Sequence, residues 1–297
     1  MELRHLRYFI ALAEELSFTA AAQRLHISQP PLSQQIRDLE HELGTVLFLR
    51  TSRKVLLTEA GTAFLAHARS IIAGAELATA QVRAIGEGRT GALNVATTGS
   101  MLLGPLARLM AEYQHRVPGV LVGLHEMAPE AQVTALHTRG VDVSFMRLPP
   151  VDAELMRETA WREPVGVLLP AGHRLAGRGA IALAELRDDE HVFLRLRDSG
   201  FAQYLRGCCV EAGFMPRISQ QVVEAYSLTS LVAAGFGVAL APRSISVLSR
   251  PEIVYRDLVP PAPAADVSMV HHRDPGPVLT RFLSIARRFL AEWRAQQ

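Results

Sequence analysis

Gln29, Ser33, Gln34 and Arg37 recur at near-helical spacing in SQPPLSQQIRDLE, a polar row with one cation and no acid among its members. Such side chains at the start of a helix match the donors and acceptors on base edges in a DNA major groove. Ser28 is a good N-cap, and Pro30 and Pro31 fall in the first turn, where a missing N–H does no harm. Leu32, Ile36, Leu39 and Leu43, spaced 4, 3 and 4, make one face of this helix apolar. Upstream, SFTAAAQRL is a short helical pattern whose small residues Ala20, Ala21 and Ala22 permit close crossing, and His26-Ile27-Ser28 interrupts it. Two short helices across a tight turn form a helix-turn-helix, although the spacing alone also suits any helical hairpin with a polar outer face.

A second cluster is cationic. Arg50, Arg53 and Lys54 stand together with no acid between Leu43 and Glu59, and Lys54 is the only lysine in the chain. At the tip of a wing they would meet phosphates or a minor groove; the bland reading is a solvated turn. The third candidate lies further on. Thr98-Gly99-Ser100-Met101 opens a helix with Ser100 expected at its N-cap, Pro129 opens another, Arg147 ends a strand, and Asp198 to Phe201 and Glu224 precede two more helices. Helix N-termini and a guanidinium favour an anion, so the expected ligand is a small organic acid. Ser100 as a plain cap and Arg147 paired with Glu224 are the structural alternatives.

Other constellations carry less. Ser100, His125 and Asp142 could be strung into a triad, but Ser100 lacks the GxSxG elbow. His271-His272 has no partner at metal spacing, and His272-Arg273-Asp274 lacks every other kinase element. Cys208 and Cys209 are adjacent, which suits neither a disulfide nor a metal, so free thiols are expected. Gly86 to Gly91 spells GxGxxG but follows a helix and precedes a strand, the reverse of a phosphate loop, and is read as a flexible hinge. No enzyme, metal or cofactor is expected.

The elements that must position these residues follow from the patterning. The 297 residues allow two or three domains, and a net charge of only +2 does not indicate a general polyanion binder. Residues 1–58 hold seven Lys/Arg against six Asp/Glu, so the positive charge there is local. Leu3 to Leu16 reads as a first helix, Gly44 ends the second polar-faced one, and Val46–Arg50 and Lys54–Leu57 read as wing strands. Thr58 caps a helix of about 30 residues in which Phe64, Ala68, Ile71, Ala75, Ala78, Val82 and Ile85 alternate at spacings of 4 and 3. Sustained a/d spacing predicts a dimerising seam and, with two reading heads, a DNA site of imperfect two-fold symmetry. From Ala92 strands and helices alternate, including Leu93–Thr98, Leu102–His115 (helix), Val120–Met127, Val141–Met146, Val165–Leu169 and Val267–His271, which predicts parallel sheets in two units facing a cleft. There is no signal-peptide core or run of roughly 18 apolar residues, so a cytoplasmic protein without membrane contact is expected.

MELRHLRYF, the SFTAAAQRLHISQPPLSQQIRDLE run, LFLRTSRKVLLTEAG and the long helix after it resemble the N-terminal region of LysR-type transcriptional regulators. The resemblance is dense over residues 1–65 and continues at lower density to the C-terminus. It implies an all-α winged helix-turn-helix at 1–58, a linker helix at 59–88, and an α/β effector domain of two Rossmann-like subdomains of periplasmic-binding-protein type at 89–297. The subdomains are expected near 92–161 with 267–297, and 162–266. It further implies double-stranded DNA as partner through Gln29, Pro30, Pro31, Ser33, Gln34, Arg37, Arg50, Arg53 and Lys54. A homotetramer, RNA polymerase as a second partner, and an output of activation or repression are also implied. GSMLLGPLARL, HEMAPEAQVTAL, VDVSFMRL and VVEAYSLTSLVAAGFGVALAP are similar to the branch responding to benzoate and muconates. Carried over from it, the effector, an aromatic or dicarboxylic acid, would meet Ser100, Met101, Pro129, Arg147, Ser199, Phe201 and Glu224. Three positions depart from that pattern: Pro129 replaces a hydroxyl residue, Trp161 replaces an arginine of a second acid site, and Gln34 replaces the more usual arginine. A regulator of this fold without any small-molecule effector is the competing expectation.

Overall fold

The structure, a computed structural model, describes residues 1–51, 54–248 and 250–296. The chain forms two compact units, Met1–Ala84 and Ile85 to the C-terminus. In the first, α1 (Leu3–Glu15), α2 (Phe18–Arg24) and α3 (Gln29–Leu43) bury Phe9, Leu12, Ala21, Leu32, Ile36 and Leu39 against one another. Ser17 caps α2 by accepting from the Ala20 N–H at 3.3 Å. The turn into α3 passes through His26, left-handed at φ 55°, and Gly44, at φ 66°, ends α3 as its type suggests. Ser28 stands at the N-cap of α3, yet its hydroxyl makes no capping bond.

Two short strands, β1 (Phe48–Arg50) and β2 (Val55–Leu57), pair antiparallel; Arg53, expected at the wing tip, lies outside the described residues. Then α4 (Glu59–Gly86) begins at Thr58, whose hydroxyl accepts from the Gly61 N–H at 2.9 Å. Gly61 is required there, because a Cβ would lie 2.2 Å from the Leu47 carbonyl oxygen. The expected seam along α4 divides in two. Phe64, with its ring 5.0 Å from Phe9, and the fully buried Ala68 belong to the core of the first unit. Ile71, Ala78, Val82 and Ile85 are exposed and Ala75 half-buried. A continuous 4–3 spacing therefore serves two partners in turn: the helix's own domain first, and an unpartnered face beyond it.

The second unit begins with the stretch read as a flexible hinge, and that reading is corrected. Gly88 is buried at φ 63°, where a Cβ would come within 2.3 Å of the Pro277 carbonyl oxygen, and Arg281 donates to the Glu87 carbonyl at 2.8 Å. The loop is clamped by the start of a later helix. β3 (Gly91–Thr97) follows, then a 3-10 turn (Gly99–Leu103) and α5 (Leu106–Arg116), where one helix was expected. Gly104-Pro105 breaks it, since proline cannot continue the hydrogen-bond ladder. Next come β4 (Val120–Glu126), α6 (Pro129–His137) and β5 (Val143–Arg147), with β3 parallel to both β4 and β5.

The 16-residue β6 (Leu155–Pro170) is longer than the expected Val165–Leu169 and joins the halves of this unit. After it come β7 (Ala180–Ile181), β8 (Glu190–Leu194), α7 (Gly200–Glu211), β9 (Arg217–Val222), α8 (Ala225–Ala233), β10 (Ala239–Pro242), β11 (Ile253–Leu258), β12 (Ala264–His272) and α9 (Pro277–Arg294). The sheet order is β4-β3-β5-β12-β6-β11-β7, with β10 also on β6 and a separate parallel pair β8-β9. Residues 155–164 of β6 pair with β12, and residues 165–170 pair with β10 and β11. The passage from one subdomain to the other thus falls inside one strand, near residue 164. Trp161, Tyr113, Phe145 and Phe282 fill the first subdomain's core; Val167, Leu169, Phe193, Phe201 and Leu240 fill the second's.

Candidate functional site

In the first unit, the exposed face of α3 begins with Gln29, Pro30 and Pro31, followed by the half-buried Ser33. Gln29 and Ser33 make no side-chain hydrogen bond among the described residues. Gln34 is engaged at both ends: Arg37 donates to its Oε1 at 2.8 Å, and its Nε2 donates to Asp38 at 2.7 Å. The wing cation Arg50 is also engaged. It pairs with Glu40 of α3, lies 5.3 Å over the Phe18 ring, and shares Glu40 with the Leu47 and Phe48 N–H groups at 2.9 and 3.1 Å. Arg50 therefore braces the wing against α3 and α2, a role its position in the sequence did not disclose. Lys54 is exposed, its N–H held by the Thr51 hydroxyl at 3.0 Å.

In the second unit, Ser100, Met101, Pro129, Arg147, Ser199, Phe201 and Glu224 all line one chamber of about 50 Å³ between the subdomains. A wider vestibule of about 420 Å³ shares Pro129, Met146, Arg147 and Ser199 with it. The strands and helices place these groups as expected: Arg147 ends β5, Pro129 starts α6, Ser199 caps α7 by accepting from the Ala202 N–H at 3.1 Å, and Glu224 stands before α8. The chain leaves Arg147 through Leu148 at φ 46°, a left-handed leucine worth roughly 1–2 kcal/mol of strain. Two local expectations are corrected. Thr98, not Ser100, stands at the N-cap of the 3-10 turn, and Ser100 is buried one residue inside it. Arg147 pairs with Glu163 of β6, not with Glu224.

Arg147 is the charged centre of the chamber. Its Nη2 donates to Glu163 Oε1 at 2.7 Å, its Nη1 to Ser100 Oγ at 3.0 Å, and its guanidinium lies 5.4 Å from the Phe201 ring centroid. The side chain is only 7% exposed, and its Nε–H has no partner among the described residues. Burial lowers its pKa while Glu163 opposes the shift; a guanidinium stays charged regardless. The other Glu163 oxygen accepts from the Ser244 N–H at 3.0 Å, tying the pair to the second subdomain. The sequence hides Glu163, because the apolar run that marks its strand begins only at Val165 while the strand itself begins at Leu155.

The paper triad does not assemble. Ser100 is bonded to Arg147, His125 contacts Asn94 at 3.0 Å, and Asp142 accepts from the Asn94 N–H at 2.7 Å. Burial pushes the Cys209 thiol up to about 12 and raises Cys208 as well, so neither is poised as a thiolate. Among the described residues no helix is long and apolar enough to cross a membrane.

A reading helix with a wing and a two-subdomain chamber is the architecture that known proteins share with this chain. Residues 3–62 match the model for bacterial regulatory helix-turn-helix proteins of the lysR family, and residues 86–291 match the LysR substrate binding domain. The chain belongs to the LysR family of transcriptional regulators. This regulator is 42% identical over 259 residues to the HTH-type transcriptional regulator ShiR of Corynebacterium glutamicum, covering 86% of this chain and 87% of that one. It is 35% identical to AlsR of Bacillus subtilis, over 96% and 95% of the two chains. Among solved structures, CbnR superposes with a TM-score of 0.85 at 32% identity, over 96% of this regulator and 100% of that chain. Full-length CbnR complexed with its target DNA gives 0.80 over 98% and 100%. The LysR regulator is thus a DNA-binding protein with a ligand-type domain and not an enzyme. In it Trp161 is buried, 5.9 Å from the Phe145 ring, so an apolar core occupies the position where the resemblance implied an acid-binding arginine.

Proposed function

We propose that this LysR regulator reads DNA with Gln29 and Ser33, steadied by Lys54 at the wing, and answers to a small organic acid bound beside Arg147. The observation that carries the acid reading is the Arg147 Nε–H: a buried donor on a cationic group, in the lining of a chamber, without a partner among the described residues. Burying such a group unpaired is costly, and a ligand oxygen would satisfy it. Ser100 and Ser199 supply hydroxyls, and Phe201, Met101 and Met146 supply an apolar wall. A carboxylate would compete with Glu163 for the same guanidinium. Because Glu163 also holds Ser244 across the boundary, binding would change the contact between subdomains and so bias the state of the whole domain. The exposed Ile71, Val82 and Ile85 favour self-association through α4, the first step toward the tetramer that the family resemblance implies.

Thermal melting of the full chain against monocarboxylic and dicarboxylic acids tests the proposal. An acid at a hundred times its dissociation constant should add about 2.7 kcal/mol of stability. The shift should vanish in Arg147→Ala while DNA binding persists. Melting unmoved by every acid, or DNA binding lost along with Arg147, would refute it. On the DNA side, Gln29→Ala or Ser33→Ala should reduce discrimination between target and mutated sites by about 1–3 kcal/mol per lost base contact, read in competition binding at fixed salt.

A further inference from the structure

Besides the buried, unpartnered Nε–H of Arg147, the chamber's lining holds a carboxylate that no protein group engages among the described residues. Glu224 occupies the N-cap of α8 but its carboxylate makes no capping bond, and it has no side-chain hydrogen bond or ion pair among the described residues. It is half-buried in the same lining as Arg147 and Ser100. A second carboxylate approaches it from the other subdomain. A Cβ built on Gly99 would lie 2.8 Å from Glu126 Oε2 and 3.9 Å from Glu224 Oε2, so the last residue of β4 and the first before α8 converge over one glycine. Burial and, after it, the neighbouring Glu126 push the Glu224 carboxyl above its ordinary range. Neither acid is paired with a cation among the described residues, and Arg195, the other cation of the lining, has interactions of its own.

We propose that the effector is a bifunctional acid, one that carries a hydroxyl or ammonium group besides its carboxylate, and that Glu224 accepts a hydrogen bond from that group. The inference rests on the acid-binding reading and narrows it. The carboxylate meets the unpartnered Nε–H of Arg147, and the donor meets the unpartnered carboxyl opposite. A dicarboxylate would set a second negative charge against Glu224 and its neighbour Glu126, and a bare hydrocarbon acid would leave Glu224 without a partner.

The test is titration calorimetry on the full chain with benzoate, cyclohexanecarboxylate and propanoate, each beside its hydroxylated analogue and an ammonium-bearing one. For benzoate the latter is the aminomethyl derivative, because an amine on the ring itself is uncharged at neutral pH. On at least one scaffold the hydroxyl or ammonium member should bind ten times more tightly than the bare acid or better. Glu224→Gln keeps an acceptor oxygen but no charge, so it should retain a preference for hydroxyl and lose one for ammonium. Glu224→Ala should abolish both, with its melting curve and DNA affinity confirming that the variant is folded. If acids bind in an Arg147-dependent manner without preference for a donor, or if the preference survives Glu224→Ala, the inference about Glu224 is overturned and the acid-binding reading stands. If no member of any series binds, both fall.

Discussion

Arg147 and Glu163 form a nearly dry ion pair, and the physics of such pairs sets what each substitution does. Removing one member strands the other charge, so Glu163→Ala should destabilise the second unit by about 3–5 kcal/mol in urea unfolding, and Arg147→Ala by a similar amount. Replacing both with methionine should cost far less than either single change, because no buried charge is left. Glu158 offers a pH test. Arg287 grips it with two bonds at 2.6 and 2.9 Å, and His271 adds a third contact at 3.2 Å. The Arg287 bonds are the chief cause that holds its carboxyl down to about 2. A carboxyl depressed on folding contributes stability that is fully present above its unfolded value near 4.3 and is lost as the pH falls toward 2. Glu158→Gln should therefore flatten the acid limb of the stability profile between about pH 5 and pH 2. Arg147 is legible in the sequence because a lone arginine ends an apolar strand. Its partner is not legible, since proximity in three dimensions chose Glu163 over the Glu224 that charge alone suggested.

At the scale of elements, α4 shows what periodicity can and cannot say. The alternation of 4 and 3 identifies an apolar face, but nothing in it names the neighbour that covers each position. Phe64 and Ala68 pack inward on Phe9 and its companions, whereas Val82 and Ile85 are 70% and 61% exposed. Ala68→Leu should thus overpack the DNA-reading domain and lower its stability by about 1–3 kcal/mol, seen in thermal melting. Val82→Asp with Ile85→Asp should leave that melt unchanged and shift the protein toward monomer in sedimentation equilibrium. Equal effects from both classes of substitution would contradict the division. The helix-turn-helix was legible for a different reason: caps, prolines and a terminal glycine mark its boundaries locally, and local signals need no knowledge of the rest of the fold. The Gly86–Gly91 stretch misled because glycines that look like freedom in a sequence also permit the closest contacts, here with Pro277.

At the scale of the whole molecule, alternating strands and helices made the two-subdomain α/β domain legible, while its seam was not. β6 passes from one subdomain to the other without a turn. Its change of pattern at Pro164, with polar Arg162 and Glu163 before it and the apolar run from Val165 after it, reads in the sequence as the start of a strand and not as a boundary inside one. The same topology places β12 between β5 and β6 in the sheet. The first subdomain begins at residue 91 but cannot close its sheet until residues 264–272 arrive, or its core until α9 does. On the ribosome this imposes an order: the DNA-reading head is complete long before the sensor is. Nascent chains stalled ahead of Ala264 should yield a protease-resistant fragment from the head and none from the first sensor subdomain. A cell that stops translation early would thus release a folded DNA-reading head joined to an unfinished second unit.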